Sequence, residues 1–242
     1  MRISRLHIGA RLVEGEEISL DKSQSHYLKN VLRLKSGAAV VLFNGVEAVD
    51  YQSRLIFEGK QAKVYIESAQ PLDNESQLDS EIIQGLARND HLDWMVQKTT
   101  ELGVTKISIF NAERSQTPLK PAQQEKKLAH WKSVASSACE QCGRAILPKI
   151  AFYGGLEHAV AASAPAIRLL LDFDGEPLTS ALLNQQTSLS LLLGPEGGLN
   201  PREIEQALAT GFRRASLGRR VLRFETAATA ALAIAQSVLG DL

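Results

Sequence analysis

Hydrophobic and polar positions follow two different rhythms along this chain. Up to about residue 70, short apolar runs alternate with period two over Ile3–Ile8, Leu12–Leu20, Ala39–Phe43, Val46–Phe57 and Lys63–Ser68, the pattern of half-buried strands. Asn44-Gly45 between two of these runs predicts a tight hairpin turn. Ser23–Leu32 breaks the alternation and predicts one short helix, capped by Ser23 or Ser25. Several short strands of this kind predict a small β-barrel. The polar, turn-forming stretch Pro71–Ser76 marks a boundary, giving domains 1–72 and 73–242.

Beyond that boundary strands and helices alternate. Strands are predicted over Ile82–Leu86, Lys106–Phe110, Lys149–Phe152, Ile167–Phe173, Ser188–Leu193 and Arg214–Leu217. Helices are predicted over Asp90–Leu102, Pro121–Cys142, Leu156–Ala162, Leu178–Leu183, Pro201–Thr210 and Glu225–Leu239. The alternation places this part in the α/β class, a mostly parallel sheet with helices on both faces. Ligands of such sheets bind at the carboxyl ends of the strands.

Two glycine loops fall at such ends. Leu189–Leu193 runs into Gly194-Pro195-Glu196-Gly197-Gly198, three glycines in five residues, which free the backbone for positive φ and close approach to a ligand. Asn200-Pro201-Arg202-Glu203 then reads as a helix start with a capping box. The second loop is Leu217-Gly218-Arg219-Arg220. Between Phe212 and Phe224 lie five arginines, Arg213, Arg214, Arg219, Arg220 and Arg223, and no acid, a one-sided charge that points to an anionic partner.

Composition narrows the classes. The formal net charge is zero, so nucleic-acid binding has to come from local patches. One such patch is Met1–Ser36, with seven Lys or Arg against four acids and with His7, His26 and Tyr27 alongside. The segment Met1–Glu17 lacks the apolar core of a signal peptide, and Ala227–Leu239 is too short and alanine-rich for a membrane span, so a cytoplasmic protein is expected. Cys139 and Cys142 form one CxxC late in a polar helix, with neither the further ligands of a zinc site nor the setting of a redox motif. No metal is expected. The chain has neither a P-loop lysine motif nor a GxGxxG fingerprint.

GPEGGLNPREIE and LGRRVLRFETAA resemble the two signature loops of the SPOUT class of RNA methyltransferases. With Gln84–Val104, Glu113–Gln116, Ala138–Arg144 and His26–Gly37, the chain resembles the RsmE family, which makes N3-methyluridine in bacterial 16S ribosomal RNA. The resemblance covers nearly the whole chain. It implies a PUA-like barrel that binds RNA, and a SPOUT domain with a trefoil knot that works as a homodimer. It also implies S-adenosylmethionine as cofactor and 16S rRNA within the small ribosomal subunit as partner. By the same resemblance Leu170, Leu171, Leu193, Gly194, Gly197, Gly198, Leu217, Gly218, Val221, Leu222 and Thr226 enclose the cofactor. Glycine backbone would supply the hydrogen bonds and the leucines the apolar walls.

Methyl transfer to the uridine imide requires that N3 lose its proton before or during attack. Glu196 and Glu225 are the candidate acceptors, Glu225 held as an anion by the start of the last helix, Glu196 alternatively a brace for backbone N–H groups. Arg223 is placed to stabilise a developing oxyanion or to bind phosphate. Arg5, Arg33, Arg114, Arg219 and Arg220 are the RNA candidates, with Arg5 and Arg114 also open to structural ion pairing. Phe224 stands where the family tends to have threonine, and Cys142 where it commonly has serine. Two other functions compete: ribose 2′-O methylation by a different SPOUT enzyme, and a non-enzymatic RNA-binding ribosome assembly factor.

Overall fold

The computed structural model describes residues 3–183 and 186–242; Arg2 of the basic N-terminal count lies outside the described residues. The chain forms two compact units, one of Met1–Glu75 with Cys139–Leu147, the other of Ser76–Ala138 with Pro148–Leu242.

The first unit is built on a five-stranded mixed sheet. Its strands are β1 (Ser4–His7), β2 (Glu17–Ser19), β3 (Ala39–Phe43), β4 (Val49–Glu58) and β5 (Gln61–Pro71), in the order β1-β3-β4-β5-β2. β1 runs parallel to β3 and the other pairs are antiparallel. Leu6, Leu28, Val40, Leu42, Leu55, Val64 and Ile66 form its core.

Three local expectations are corrected. Only Glu17–Ser19 of the Leu12–Leu20 run is strand, because the chain turns at Val13–Glu16, where Glu16 N–H donates to the Val13 carbonyl. Asn44-Gly45 does not make a two-residue hairpin. The connection runs from Asn44 to Ala48, with the Asn44 side-chain oxygen accepting from the N–H groups of Val46 and Glu47. The helix α1 (Lys22–His26) is capped by Asp21 in a capping box with Gln24, not by a serine, and passes into a π turn over Tyr27–Val31.

The second unit carries an all-parallel sheet of six strands. They are β6 (Asp79–Gly85), β7 (Lys106–Phe110), β8 (Lys149–Tyr153), β9 (Ile167–Pro177), β10 (Ser188–Leu193) and β11 (Arg213–Ser216), ordered β11-β9-β10-β6-β7-β8. Helices α2 (Asn89–Glu101), α3 (Pro121–Cys142), α4 (Leu156–Ala161), α5 (Leu178–Ala181), α6 (Pro201–Ala209) and α7 (Phe224–Leu239) connect and cover it. Residues Cys139–Cys142 at the end of α3 belong to the first unit. The two apolar clusters of the second unit explain the near-continuous apolar strands, because both faces of a parallel sheet are buried. Among the described residues no helix is long and apolar enough to cross a membrane.

β9 runs four residues beyond its expected end, from Asp172-Phe173 on to Pro177. Its acidic Asp-Gly-Glu-Pro tail reads as a loop, yet it pairs with β11 across a register shift at Arg214/Ala215. Gly175 makes this possible: a Cβ there would lie 2.5 Å from the Ala215 nitrogen. The capping box of α6 forms as the sequence predicts, with reciprocal hydrogen bonds between Asn200 and Glu203. Glu113 extends it, donating its N–H to Glu203 and accepting from the Asn200 amide. Replacing Asn200 by Ala is expected to cost about 1 kcal/mol, measured by urea unfolding; an unchanged midpoint would show the cap to be dispensable.

Candidate active site

The middle of β9, where its pairing with β11 shifts register, and the carboxyl end of β10 adjoin the two glycine loops and create two adjoining cavities. The smaller, of about 260 Å³, is walled by Leu170, Leu171, Leu199, Ile204, Leu217, Leu222 and Ala227, with Gly194, Gly198 and Gly218 supplying bare backbone. Asp172 and Arg220 are its charged members. The larger, of about 670 Å³, adds Arg88, His91, Gln116, Glu196, Arg223 and Glu225. Leu171, Phe173, Gly194, Gly198, Leu222 and Ala227 line both, so an apolar chamber and a polar one share a wall.

The loop between them is held from several sides. Gln84, fully buried at the end of β6, donates from Nε2 to the Gly194 carbonyl at 2.8 Å. Arg114 donates from Nη1 to the carbonyls of Gly197 (3.1 Å) and Leu199 (3.3 Å). A Cβ on Gly194 would sit 2.6 Å from the Leu199 nitrogen, so no other residue fits that turn.

In the polar chamber, Glu196 Oε1 accepts from the backbone N–H of Arg88, the N-cap residue of α2. Glu225 lies buried in the first turn of α7 and meets His91 Nδ1 at 2.9 Å. Arg223, the N-cap residue of that helix, is exposed. Phe224 packs edge-on to His91 at 6.2 Å and enters the main core, so the aromatic ring anchors the start of α7.

The structure therefore brings together Leu170, Leu171, Gly194, Gly198, Leu217, Gly218 and Leu222 in the apolar chamber. Leu193, Gly197, Val221, Glu196, Arg223 and Glu225 line the polar one. Thr226 lines neither and is exposed. At 100° per residue it falls on the face of α7 away from Phe224, Ala228, Ala231 and Ala235, which are buried.

The arginines sort by partner. Arg213 pairs with Glu176 at 2.9 Å, and Arg214 with Asp172 and Asp174 at 3.4 Å each. The one-sided charge of the sequence is thus balanced in part by the tail of β9, which only strand pairing brings opposite. Arg219 and Arg220 stay exposed, as does Arg33, whose φ of 55° sets it in the left-handed region. Arg5 is not available to a ligand: it pairs with Asp50, donates to the Arg144 carbonyl and lies over the Phe43 ring. His7 packs against the same ring at a tilt of 38°, and burial pushes its imidazole below the ordinary value; His26 and Tyr27 are exposed.

Sequence reasoning missed His91, Arg88 and Gln116 as site residues. Their one signal was membership of the blocks Gln84–Val104 and Glu113–Gln116. The CxxC cysteines are unlinked, and the Cys139 thiol is pushed well up, first by its hydrogen bond with Cys142 and then by burial. Among the described residues no cluster of His, Cys, Asp or Glu is arranged to hold a metal ion.

Comparison with known proteins identifies the assembly. The RNA methyltransferase domain family model matches residues 74–236, and the RNA methyltransferase PUA domain model residues 20–61. Ribosomal RNA small subunit methyltransferase E of Buchnera aphidicola (from Schizaphis graminum) is 31% identical over 245 residues, covering 100% of this chain and 98% of its own. This chain belongs to the ribosomal RNA small subunit methyltransferase E family. The Synechocystis member is 32% identical, over 97% of this chain and 78% of its own. The crystal structure of the family member from Neisseria gonorrhoeae bound to S-adenosyl methionine superposes with a TM-score of 0.90 at 31% identity, covering 100% of both chains. The chain is accordingly an RNA methyltransferase, with a PUA domain preceding the methyltransferase domain.

Proposed function

We propose that this enzyme transfers a methyl group from S-adenosylmethionine to N3 of one uridine in 16S rRNA of the bacterial small ribosomal subunit. The observation that carries the reading is the apolar, glycine-walled chamber sharing its wall with a polar one, in a chain of this family. The cofactor site fits. The Gly194 turn is a cradle that a Cβ would fill, and Leu170, Leu171, Leu217 and Leu222 provide a sleeve for a flat adenine. When bound, S-adenosylmethionine supplies a methyl group on a sulfonium centre. The chain's own groups do the rest: Gly194, Gly197 and Gly198 present backbone to the ligand, and the polar chamber takes the unstacked base. Arg223, which lines that chamber, is the group proposed to stabilise the charge that the uridine carbonyls gain. Glu196 holds the first turn of α2, and Glu225 acts through His91.

RNA backbone contacts fall to Arg219, Arg220 and Arg33, exposed and without a charged partner among the described residues. Domain 1–72 is assigned to RNA binding and 73–242 to methyl transfer. Removing Arg219 and Arg220 together is expected to flatten the slope of log affinity against log salt by roughly 1.4–1.8 units, about 0.7–0.9 per lost phosphate contact. Filter binding across a salt series checks this; an unchanged slope removes both from the interface. A homodimer, a trefoil knot in the methyltransferase domain and a cytoplasmic location complete the proposal. The dimer is supported by the half-exposed Trp94 on α2 and is tested by sedimentation velocity.

The function is tested with labelled cofactor and small subunits from a strain lacking the modification, followed by nucleoside mass spectrometry. N3-methyluridine is expected. A ribose-methylated nucleoside would keep the cofactor and refute the target atom, and cofactor binding without transfer to any RNA would leave an assembly factor.

A further inference from the structure

Three acid–base groups line the polar chamber, and their hydrogen bonds distinguish them. Glu196 sits in an exposed loop with Oε1 taken by the Arg88 N–H, so it braces the start of α2. Glu225 is buried within the first turn of α7, with Oε1 committed to His91. His91 differs from both. Its Nδ1 lies 2.9 Å from Glu225 Oε1, and with a carboxylate as partner Nδ1 carries the hydrogen. That fixes the tautomer and leaves a lone pair on Nε2, which makes no hydrogen bond among the described residues; its nearest carboxylate, Asp90, is 3.9 Å away. The ring is wedged edge-on against Phe224, so its direction is set by packing as well as by the bond. A buried carboxylate orienting an imidazole that lines a cavity, with the second ring nitrogen not hydrogen-bonded, is the arrangement by which proteins take a proton from a weakly acidic group.

We infer that His91 is the proton acceptor for the target imide, with Glu225 as its positioning residue; this rests on the methyl-transfer reading above. The N3–H bond breaks and its proton passes to His91 Nε2. The N3 electron pair forms the bond to the methyl carbon as the S–CH3 bond breaks, and that bond's electrons remain on sulfur, giving the neutral thioether. The imidazolium so formed is stabilised by Glu225 at Nδ1 and by Asp90 on the Nε2 side. Arg88 and Arg223, on the same chamber, oppose that charge and favour return of the proton to water, while Glu196 acts in the other sense.

The test is the single-turnover rate of N3-methyluridine formation on unmodified small subunits across pH, for the wild type, His91→Gln and Glu225→Gln. Cofactor affinity by calorimetry and thermal unfolding are measured beside it. His91→Gln is expected to lower the rate by about 100-fold or more, the usual worth of a positioned base. Its cofactor affinity should stay within about twofold, and its rate should climb with pH where the wild-type rate has levelled. Glu225→Gln keeps the imidazole but misdirects it, so a smaller rate loss and a displaced pH profile are expected. Wild-type rate and pH profile in a folded His91→Gln would overturn the proposal and leave the pair as a strut between α2 and α7. If His91→Gln is unstable, Glu225→Gln decides: an unmoved pH profile overturns the proposal. Absence of N3-methyluridine from the wild type, despite cofactor binding, would sink the parent reading and this one with it.

Discussion

Gly194→Ala is expected to weaken S-adenosylmethionine binding by tenfold to a hundredfold while leaving the protein folded. An added Cβ would lie 2.6 Å from the Leu199 nitrogen and 2.7 Å from the Gly198 carbonyl carbon, both backbone atoms of the same loop. A flexible side chain could swing away; this turn has to open. Overpacking of this kind costs about 1–3 kcal/mol. The free loop can relieve the strain by relaxing, so the cost is paid when the ligand requires the closed shape, and each ~1.4 kcal/mol is tenfold in affinity. Gly197→Ala is the comparison. There the Cβ would meet the Arg114 Cβ at 3.3 Å, a contact that a shift of the arginine relieves, so a loss of a few-fold is expected. Calorimetric titration of both variants separates the cases, and equal affinities for wild type and Gly194→Ala would refute the cradle.

Glu81→Ala should produce the largest loss of stability, about 3–5 kcal/mol in urea unfolding, the usual cost of breaking a buried ion pair from one side. Glu81 stands in the central strand β6, almost wholly buried. Its carboxylate accepts from Ser108 at 2.6 Å and Ser190 at 2.9 Å and pairs with Lys106 at 3.0 Å; Ser190 in turn meets Ser163 at 2.6 Å. Removing the carboxylate leaves the Ser108 hydroxyl in an apolar sheet without its acceptor, while Ser190 keeps Ser163 and Lys106 keeps the Ala162 carbonyl. Glu81→Gln keeps the shape and most of the hydrogen bonds and should cost less than half as much. A loss under 1 kcal/mol for Glu81→Ala would mean that water reaches the network.

Much of the architecture was legible because it is written in local pattern. Lys106–Phe110, Pro121–Cys142 and Ser188–Leu193 form with the bounds that periodicity predicts, and the capping box at Asn200 forms as its spacing requires. Both glycine loops sit at strand ends in the site, since an apolar run stopped by glycine and followed by a capped helix leaves the chain few alternatives. The errors lie where a partner distant in sequence overrides local preference. The Asp172–Pro177 segment is a loop by composition and a strand by pairing with β11. Asn44-Gly45 is a hairpin signal by composition, yet Gly45 bridges to Ile146 and the turn widens.

The sequence alone thus determined the α/β class, the two glycine loops and the family, since each depends on residues near one another in the chain or on motifs in order. Only the tertiary structure decided which charged groups are free to act. It paired Arg213 and Arg214 with the acids of β9, locked Arg5 onto Asp50, turned Thr226 away, and placed His91 against Glu225 across 134 positions of chain. The physical reason is that a side chain's charge and hydrogen bonds depend on what packing sets within a few ångströms of it. Sequence proximity fixes those neighbours inside a helix turn or a loop; between elements, the register of the sheet does.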